Sequence, residues 1–293
     1  MKTITVFTPT YNREHTLQKC FESLVSQACK DFVWQIIDDG STDNTANLVK
    51  QFIDSAPDFE IQYIHKENGG KVSAINMSVS IADTPLWVCL DSDDYFTPDA
   101  IRIILEKYKD IADDNNICGL FALRSKPDMT PMQGKSIPND VSRVTQYEVR
   151  HKYKIPPEYV QVYKTEIISK YKYPIYPGEK YMPLSYVQDQ IDLKYQFMVV
   201  QEPLMVCEYY SDGITKNHHR LVKNNPNGYI EFRRQQIVFA RNLKDKLMAC
   251  ITYDTGNIIA RKKGWLEKSP SKFWTFLCYP IALFDYLRRY RKL

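Results

Sequence analysis

The first hundred residues alternate between short apolar runs and longer segments in which apolar residues recur every three or four positions. Leu17, Cys20 and Leu24 show this helical spacing after the first run. The apolar runs predict four buried β-strands, at residues 4–7, 33–37, 61–65 and 86–90. Strands that alternate with helices in this way predict an α/β domain with a mostly parallel, Rossmann-like central sheet flanked by helices.

Beyond residue 120 the alternation weakens. Residues 124–160 are polar and rich in proline, which predicts a long loop region, and residues 220–247 return to a helical spacing with many basic side chains. The chain therefore predicts two parts: an α/β domain over residues 1–215 and a helical C-terminal extension over residues 216–293.

The end of the chain has a composition of its own. Residues 273–287 are almost wholly apolar or aromatic, and Arg288, Arg289, Arg291 and Lys292 follow directly. The stretch is too short to cross a bilayer, but an apolar, aromatic segment beside a basic cluster is typical of the surface of an anionic membrane. We predict that this tail is membrane-proximal; a helix packed on the protein's own core is the alternative.

Polar clusters follow three of the predicted strands. They lie at residues 8–12, 38–41 and 91–94 and bring at least four carboxylates to one edge of the sheet, where open α/β sheets bind ligands. Carboxylates this close repel each other, and a hard divalent cation, Mg²⁺ or Mn²⁺, relieves that repulsion with help from substrate phosphates. The acidic segment 91–94 alone would be equally compatible with a solvated turn that caps a helix.

Two other nucleotide-binding classes lack their motifs. A nicotinamide enzyme should carry a glycine-rich turn after the first strand, but residues 8–12 read Thr-Pro-Thr-Tyr-Asn. No Walker A motif is present either.

Four motifs, in this order and spacing, resemble family 2 glycosyltransferases with a GT-A fold. They are Thr-Pro-Thr-Tyr-Asn at 8–12, Asp-Asp-Gly-Ser-Thr-Asp at 38–43, Glu-Asn-Gly-Gly at 67–70 and Leu-Asp-Ser-Asp-Asp at 90–94. Segments 178–184 and 208–213 are similar to bacterial members that build surface polysaccharides.

The resemblance implies roles for most of these residues. The nucleotide would contact Thr8, Pro9, Tyr11, Asn12, Asp39 and Asp91. The diphosphate and donor sugar would lie near Gly69, Gly70, Lys71 and Ser92. The metal would be held by Asp93 with Asp91.

The catalytic base is less well defined by the resemblance. The family usually places a Glu-Asp pair after the central region, whereas this chain has Glu179 followed by Lys180. Glu179, Asp189 and Asp192 therefore remain three candidates. Asp212 and Thr215 are candidates for shaping the acceptor site, and His218 is a candidate for a further metal ligand.

Composition limits the partners and the cellular compartment that we expect for this chain. Net charge is +4, with no arginine-rich stripe over the first two hundred residues, so nucleic acid is not an expected partner. Seven cysteines without a CxxC pair predict reduced thiols in a cytosolic protein. A homodimer is left open.

The acidic motifs and the resemblance together predict a metal-dependent glycosyltransferase, and the resemblance implies that it inverts the anomeric carbon. It would move a sugar from a nucleotide-sugar, most simply a UDP-sugar, to a hydroxyl of a saccharide or polyprenyl-linked oligosaccharide in cell-surface polysaccharide synthesis. It would work in the cytoplasm, peripherally at the inner face of the membrane. The alternatives are a nucleotidyltransferase with a two-carboxylate metal site and a non-catalytic protein that binds nucleotide-sugars.

Overall fold

The structure, a computed structural model, describes residues 2–208 and 218–291. The strands of this part of the chain are β1 Ile4–Thr10, β2 Phe32–Asp38, β3 Glu60–His65, β4 Leu86–Cys89, β5 Asp94–Phe96, β6 Ile117–Leu123, β7 Arg143–Val144, β8 Tyr159–Lys164, β9 Gln196–Val199 and β10 Met205–Cys207. The helices are α1 Leu17–Val25, α2 Thr45–Asp54, α3 Lys71–Ile81, α4 Ala100–Lys109, α5 Gln146–His151, α6 Thr165–Ile168, α7 Ser185–Asp192, α8 His218–Asn224, α9 Pro226–Phe239, α10 Leu243–Ile259, α11 Trp265–Lys268 and α12 Lys272–Arg289.

The chain divides into two compact units. One comprises residues 1–172 and 187–209, and the other comprises residues 173–186 and 210–293. The domain boundary predicted at residue 215 lies outside the described residues. The division also assigns residues 173–186 to the second unit, which a single cut in the sequence does not provide for.

The first unit is built on a mixed sheet with the strand order β3-β2-β1-β4-β8-β6-β9-β7. Strands β3, β2, β1 and β4 are parallel, which confirms the α/β sheet expected from the first hundred residues. Strand β2 is buried along its whole length because helices cover both faces of a sheet of this kind. On one face Phe21 of α1 stacks on Phe52 of α2 with ring centroids 4.1 Å apart.

The far half of the sheet corrects one prediction. Residues 124–160 are not only loop, since they contain β7, α5 and the first residues of β8. Strand β8 runs antiparallel to both β4 and β6. Gly119 of β6 lies against β8 so closely that a Cβ there would be 1.8 Å from the Val162 carbonyl oxygen. This close approach seats β6, and with it the residues that follow its end.

The second unit is helical. The single helical pattern seen in the sequence at 220–247 forms three helices, α8, α9 and the start of α10. Pro226 begins α9, as proline favours a first helical turn. Ile237, Cys250, Tyr253 and Cys278 form its core. No helix in the described ranges is both long and apolar enough to cross a membrane.

Candidate active site at the carboxyl edge of the sheet

Four loops meet beyond the ends of the parallel strands, and backbone hydrogen bonds join them. The Asp39 amide donates to Thr10 O at 2.8 Å, and the Lys66 amide donates to Asp38 O at 2.9 Å. The Leu90 amide donates to Phe7 O at 2.8 Å. These bonds bring the motifs after β1, β2, β3 and β4 to one edge, as the sequence predicted.

The two aspartates after β2 have different surroundings. Asp38 is fully buried, and its carboxylate accepts hydrogen bonds from the Ser41 amide at 2.8 Å and the Tyr63 hydroxyl at 2.6 Å. Burial and the bond to Asp38 raise the pKa of Tyr63, so this phenol stays protonated. Asp38 therefore fixes the turn rather than facing a ligand.

Asp39 holds the glycine loop. Its carboxylate accepts from Lys66 Nζ at 2.7 Å, the Gly69 amide at 2.9 Å and the Gly70 amide at 2.7 Å. Gly70 has a φ of 83°, a left-handed conformation that glycine adopts without strain, and α3 begins at the next residue. About four lone-pair positions exist on a carboxylate, so Asp39 keeps roughly one for another donor. The predicted contact of Asp39 with the nucleotide stays a prediction.

The turn after β1 is held in the same manner. The Asn12 backbone has a φ of 52°, its amide donates to Ser41 Oγ at 2.9 Å, and its side-chain oxygen accepts from the Thr42 amide at 2.8 Å. Tyr11 is 48% exposed, and an exposed tyrosine ring offers an apolar surface for stacking. Pro9 is half-buried beside it.

The side chain of Thr8 lies in the core of the sheet. It is fully buried, and its hydroxyl accepts a hydrogen bond from Trp34 Nε1 at 2.9 Å. The predicted contact of Thr8 with a nucleotide stays a prediction.

Asp91 lies between two cations. Lys71 Nζ pairs with one carboxylate oxygen, and Arg124 Nη2 is 3.3 Å from the other. Burial alone would raise the pKa of Asp91, but Lys71 and Arg124 together hold that pKa well below its usual range. Burial likewise opposes the charge of Lys71, and Asp91 outweighs it and raises the pKa of Lys71. All three groups are therefore charged at neutral pH.

Asp94 is the more deeply buried carboxylate of the cluster. Its Oδ2 is 2.8 Å from Arg124 Nη1, an ion pair whose angles do not make a good hydrogen bond. Burial raises the pKa of Asp94 to about 7, although Arg124 acts in the opposite direction. Residues 94–96 form β5, which pairs antiparallel with β10, so Asp94 belongs to a strand rather than to an open acidic turn.

Asp93 differs from both neighbours. It is half-buried, and across residues 2–208 and 218–291 its carboxylate has no hydrogen-bond or ion-pair partner. Among the described residues, no three His, Cys, Asp or Glu side chains are grouped so as to hold a metal ion by themselves. A cation here would need oxygens from a ligand, which is how Mg²⁺ is usually bound beside phosphates. The free carboxylate of Asp93 fits that requirement, and the paired one of Asp91 fits it less well. Ser92, between them, is buried.

Two of the three base candidates are committed to helix ends. Glu179 accepts from the amides of Asn227 and Gly228, both at 2.8 Å, at the start of α9. Asp192 is buried and accepts from the Gln146 and Tyr147 amides at the start of α5. Carboxylates at helix N-termini satisfy orphan amides, so Glu179 and Asp192 each stabilise the start of a helix. Their selection as bases stays a prediction.

Asp189 is the third candidate for the base. It lies on α7, half-buried, with Oδ1 3.9 Å from Arg150 Nη2. The neighbouring Gln188 donates to Gln161 Oε1 of β8 at 2.7 Å, which seats this end of α7 on the sheet.

The remaining predictions fall elsewhere. His218 begins α8 in the second unit, and its ring lies edge-on to that of Tyr181. Burial lowers the pKa of His218, and the nearby charges of Arg233 and His219 lower it further. Its part in a metal site stays a prediction. Asp212 and Thr215 lie outside the described residues.

Sequence reasoning missed Arg124, which joins Asp91 and Asp94. It lay inside a segment predicted to be loop, yet it directly follows the apolar strand β6. An arginine at the end of a buried strand is the signal that would have revealed it.

Comparisons with known proteins agree with this arrangement. The family described as "Glycosyl transferase family 2" matches residues 5–168, more than half of the chain. The chain belongs to glycosyl transferase family 2. That span contains all four motifs at the carboxyl edge of the sheet, and it confirms the resemblance stated from them.

Curated relatives of this family 2 member include polymer synthases of the bacterial surface. A chondroitin synthase of Pasteurella multocida (strain Pm70) is 35% identical over 105 residues, which are 36% of this chain and 11% of that protein. The teichoic acid poly(glycerol phosphate) polymerase of Staphylococcus epidermidis is 35% identical over 123 residues, 42% of this chain and 16% of that protein. The chain thus matches only a small part of the length of these relatives.

Solved structures confirm the predicted GT-A fold. Residues 1–349 of S. aureus TarS, in complex with UDP-GlcNAc, align with a TM-score of 0.61 at 15% identity, covering 98% of this chain and 92% of that one. The mannosyltransferase PcManGT from Pyrobaculum calidifontis, in complex with GDP-Man and Mn²⁺, aligns with a TM-score of 0.54 at 14% identity over 96% of this chain and 87% of that one.

Proposed function

We propose that this chain transfers a sugar from a nucleotide-sugar, most simply a UDP-sugar, to a hydroxyl of a saccharide, with inversion at the anomeric carbon. The observation that carries the proposal is the contrast between paired and unpaired charged side chains at the carboxyl edge of the sheet. Lys71 and Arg124 are charged and fixed by Asp91, while the carboxylate of Asp93 has no partner within the part of the chain that the structure describes. Cations held in place beside a free carboxylate suit a diphosphate with its divalent ion.

The nucleotide would lie along the turns after β1 and β2. The exposed ring of Tyr11 can stack on a base, with Pro9 beside it, and Asn12 holds the turn in shape. Asp39 can accept one further hydrogen bond from the base, because three of its positions already hold the glycine loop.

The diphosphate and donor sugar would lie over the glycine loop and Ser92. Gly69 and Gly70 expose backbone that a phosphate can approach closely. Lys71 supplies positive charge at the first position of α3, where the helix end itself favours an anion. Because Asp91 holds Lys71 in place, the cation is oriented before the donor arrives.

Mn²⁺ or Mg²⁺ would be held by Asp93, with Asp91 at its side. When bound, such an ion stabilises the negative charge that builds on a departing diphosphate. Lys71 and Arg124 would act on the same charge from the protein side.

The base that takes the proton of the acceptor hydroxyl is proposed to be Asp189. Glu179 and Asp192 accept hydrogen bonds from amides at the starts of helices, whereas Asp189 lies half-buried on α7 with its Oδ1 3.9 Å from Arg150 Nη2, a cation beside the carboxylate. A positioned carboxylate of this kind contributes about a hundredfold or more to a transfer to a hydroxyl.

The acceptor is proposed to be a saccharide or polyprenyl-linked oligosaccharide of a cell-surface polymer, at the inner face of the membrane. The names of the relatives, a chondroitin synthase and a teichoic acid polymerase, support a polymer at the cell surface. Asp212 and Thr215 remain candidates for its binding.

The proposal is tested by a donor-hydrolysis screen. The full chain is incubated with UDP-GlcNAc, other UDP-sugars and GDP-mannose, with Mn²⁺ or Mg²⁺ and with chelator, and the released products are identified. We expect free sugar and nucleoside diphosphate, dependent on the ion. Release of pyrophosphate from a sugar phosphate and a nucleoside triphosphate would instead identify a nucleotidyltransferase. Donor binding without turnover, even with oligosaccharide acceptors, would identify a non-catalytic binding protein.

A further inference from the structure

Helix α12 has two faces of opposite character, and the small residues are on the inner one. Thr275, Cys278 and Ala282, spaced by three and four, are buried within the second unit. Cys278 belongs to the core with Cys250 and Tyr253 of α10. Small side chains at helical spacing allow two helix backbones to approach closely, so α12 is anchored on α10 by its least apolar side.

The large apolar residues are on the outer face. Phe273, Phe276 and Phe284 are 66%, 66% and 65% exposed. The other exposed apolar residues of the helix are Leu277, Pro280, Ile281, Leu283 and Leu287. Steps of three and four residues join most of these positions into one stripe along the helix, which is about 27 Å long at 1.5 Å per residue.

This arrangement is the reverse of an ordinary surface helix. A helix that packs on a soluble core turns its bulky apolar residues inward and its charged residues to water. Here three phenylalanines on a single helix point outward, and contiguous exposed apolar patches of this kind mark interaction sites. The outer face of α12, meaning the exposed apolar residues from Phe273 to Leu287, therefore calls for a partner.

Charge identifies the partner. Lys272 begins the helix, and Arg288, Arg289 and Arg291 follow the stripe at its end. Asp285 is the one acidic residue of α12, and its Oδ1 is paired with Arg289 Nε at 2.9 Å. Two copies of the chain that met through this face would bring basic ends together, whereas an anionic lipid surface is complementary to them.

The geometry of α12 also indicates how the helix would be oriented at a membrane. No described helix can cross a membrane, and Pro280 removes one internal hydrogen bond in the middle of α12. A helix with an apolar stripe, basic ends and one face packed on protein lies in the plane of the interface. We propose that the outer face of α12 inserts into the headgroup region of a membrane that carries anionic lipid. This places the second unit on the bilayer independently of whether the chain transfers sugar.

The experiment measures binding of the full chain to vesicles, with no donor or acceptor present. Vesicles of phosphatidylcholine mixed with phosphatidylglycerol are compared with vesicles of phosphatidylcholine alone, by co-sedimentation. We expect binding to the anionic vesicles that falls at least about tenfold in Phe276→Ser/Phe284→Ser, since the buried apolar area is lost. Arg288→Gln/Arg291→Gln should lose about tenfold or more on anionic vesicles and little on neutral ones.

A matched control separates this face from general surface hydrophobicity. Ile53→Ser/Ile81→Ser changes two apolar residues of α2 and α3 that are 43% and 44% exposed, and it should bind vesicles as the wild-type chain does. All substituted positions are exposed, so circular dichroism should show unchanged folding.

Three results would overturn the proposal. One is absence of vesicle binding by the folded wild-type chain. Another is equal loss in the Ile53→Ser/Ile81→Ser control. The third is a dimer in sedimentation that Phe276→Ser/Phe284→Ser dissociates without any change in vesicle binding, which would assign the face to a second copy.

Discussion

Arg124 Nη1 lies 2.8 Å from Oδ2 of Asp94, while Nη2 of the same guanidinium lies 3.3 Å from Asp91. One arginine thus links the carboxylate that pairs with Lys71 to the most buried carboxylate of the cluster. Loss of one partner of a buried ion pair leaves an uncompensated charge, so the energetics of this link are directly measurable.

Arg124→Met should lower the free energy of unfolding by about 3 kcal/mol at pH 9, where Asp94 is ionised in the wild type and loses the cation beside it. Asp94→Asn in the Arg124→Met background should recover more than half of that loss. Denaturant unfolding of the wild type, the two single variants and the double variant forms a double-mutant cycle, which measures the coupling free energy between Arg124 and Asp94. Arg143→Met is the control, since Arg143 pairs with Asp114 at the surface, where such a pair is worth about 0–1 kcal/mol. Additive effects within about 0.5 kcal/mol would contradict the link.

Asp254 predicts a pH dependence in the second unit. It is fully buried, its Oδ1 accepts from Trp265 Nε1 at 2.8 Å, and burial raises its pKa to about 7. The unfolded pKa is about 3.9, so the folded state binds this proton more tightly. The stabilisation is complete below about pH 4 and is lost as the pH rises through about 7.

Asp254→Asn keeps the acceptor for Trp265 and removes the titration. We expect its stability relative to wild type to improve by about 2–4 kcal/mol between pH 4 and pH 8, measured by thermal unfolding across that range. Asp113→Asn provides an exposed carboxylate for comparison. A difference between Asp254→Asn and wild type that does not change with pH would contradict the assignment.

The proposed base is tested by comparing Asp189 with Glu179. Asp189→Asn should lower kcat about a hundredfold or more, with the donor KM nearly unchanged. Glu179→Ala should instead lower the free energy of unfolding by about 1–2 kcal/mol, because the start of α9 loses its acceptor, while Glu179→Gln keeps part of it. If Glu179→Gln lost most of its kcat while Asp189→Asn kept wild-type activity, the two roles would be reversed.

The sequence predicted the half of the sheet in which strand, turn and helix follow one another closely. Strands β1 to β4 are apolar runs with motifs at their ends, so both their order and the shared edge could be predicted. Strands β5 and β7 have only three and two residues, too few for a period to be visible. Strand β8 follows a proline-rich segment, which made it look like loop.

The sequence indicated which residue types form the site more readily than it indicated what each of these residues contacts. Asp39, Asp91 and Asp94 were recognised as acidic, but their partners Gly69, Lys71 and Arg124 lie about twenty to thirty positions away, where no local pattern connects them. The partners of Glu179 and Asp192 are distant for the same reason. Their carboxylates accept hydrogen bonds from helix amides 48 positions later and 46 positions earlier in the chain. Only the folded arrangement separates such capping residues from a free carboxylate.

The central claim is that Asp93 keeps its carboxylate free for a cation at the donor diphosphate. The most direct measurement is the Mn²⁺-dependent turnover of the nucleotide-sugar by Asp93→Asn, with Asp113→Asn as the control. We predict a loss of at least about a hundredfold, about 2.7 kcal/mol of transition-state stabilisation. The variant should unfold like the wild type, because Asp93 has no partner among the described residues. Unchanged ion-dependent turnover by Asp93→Asn would contradict the account.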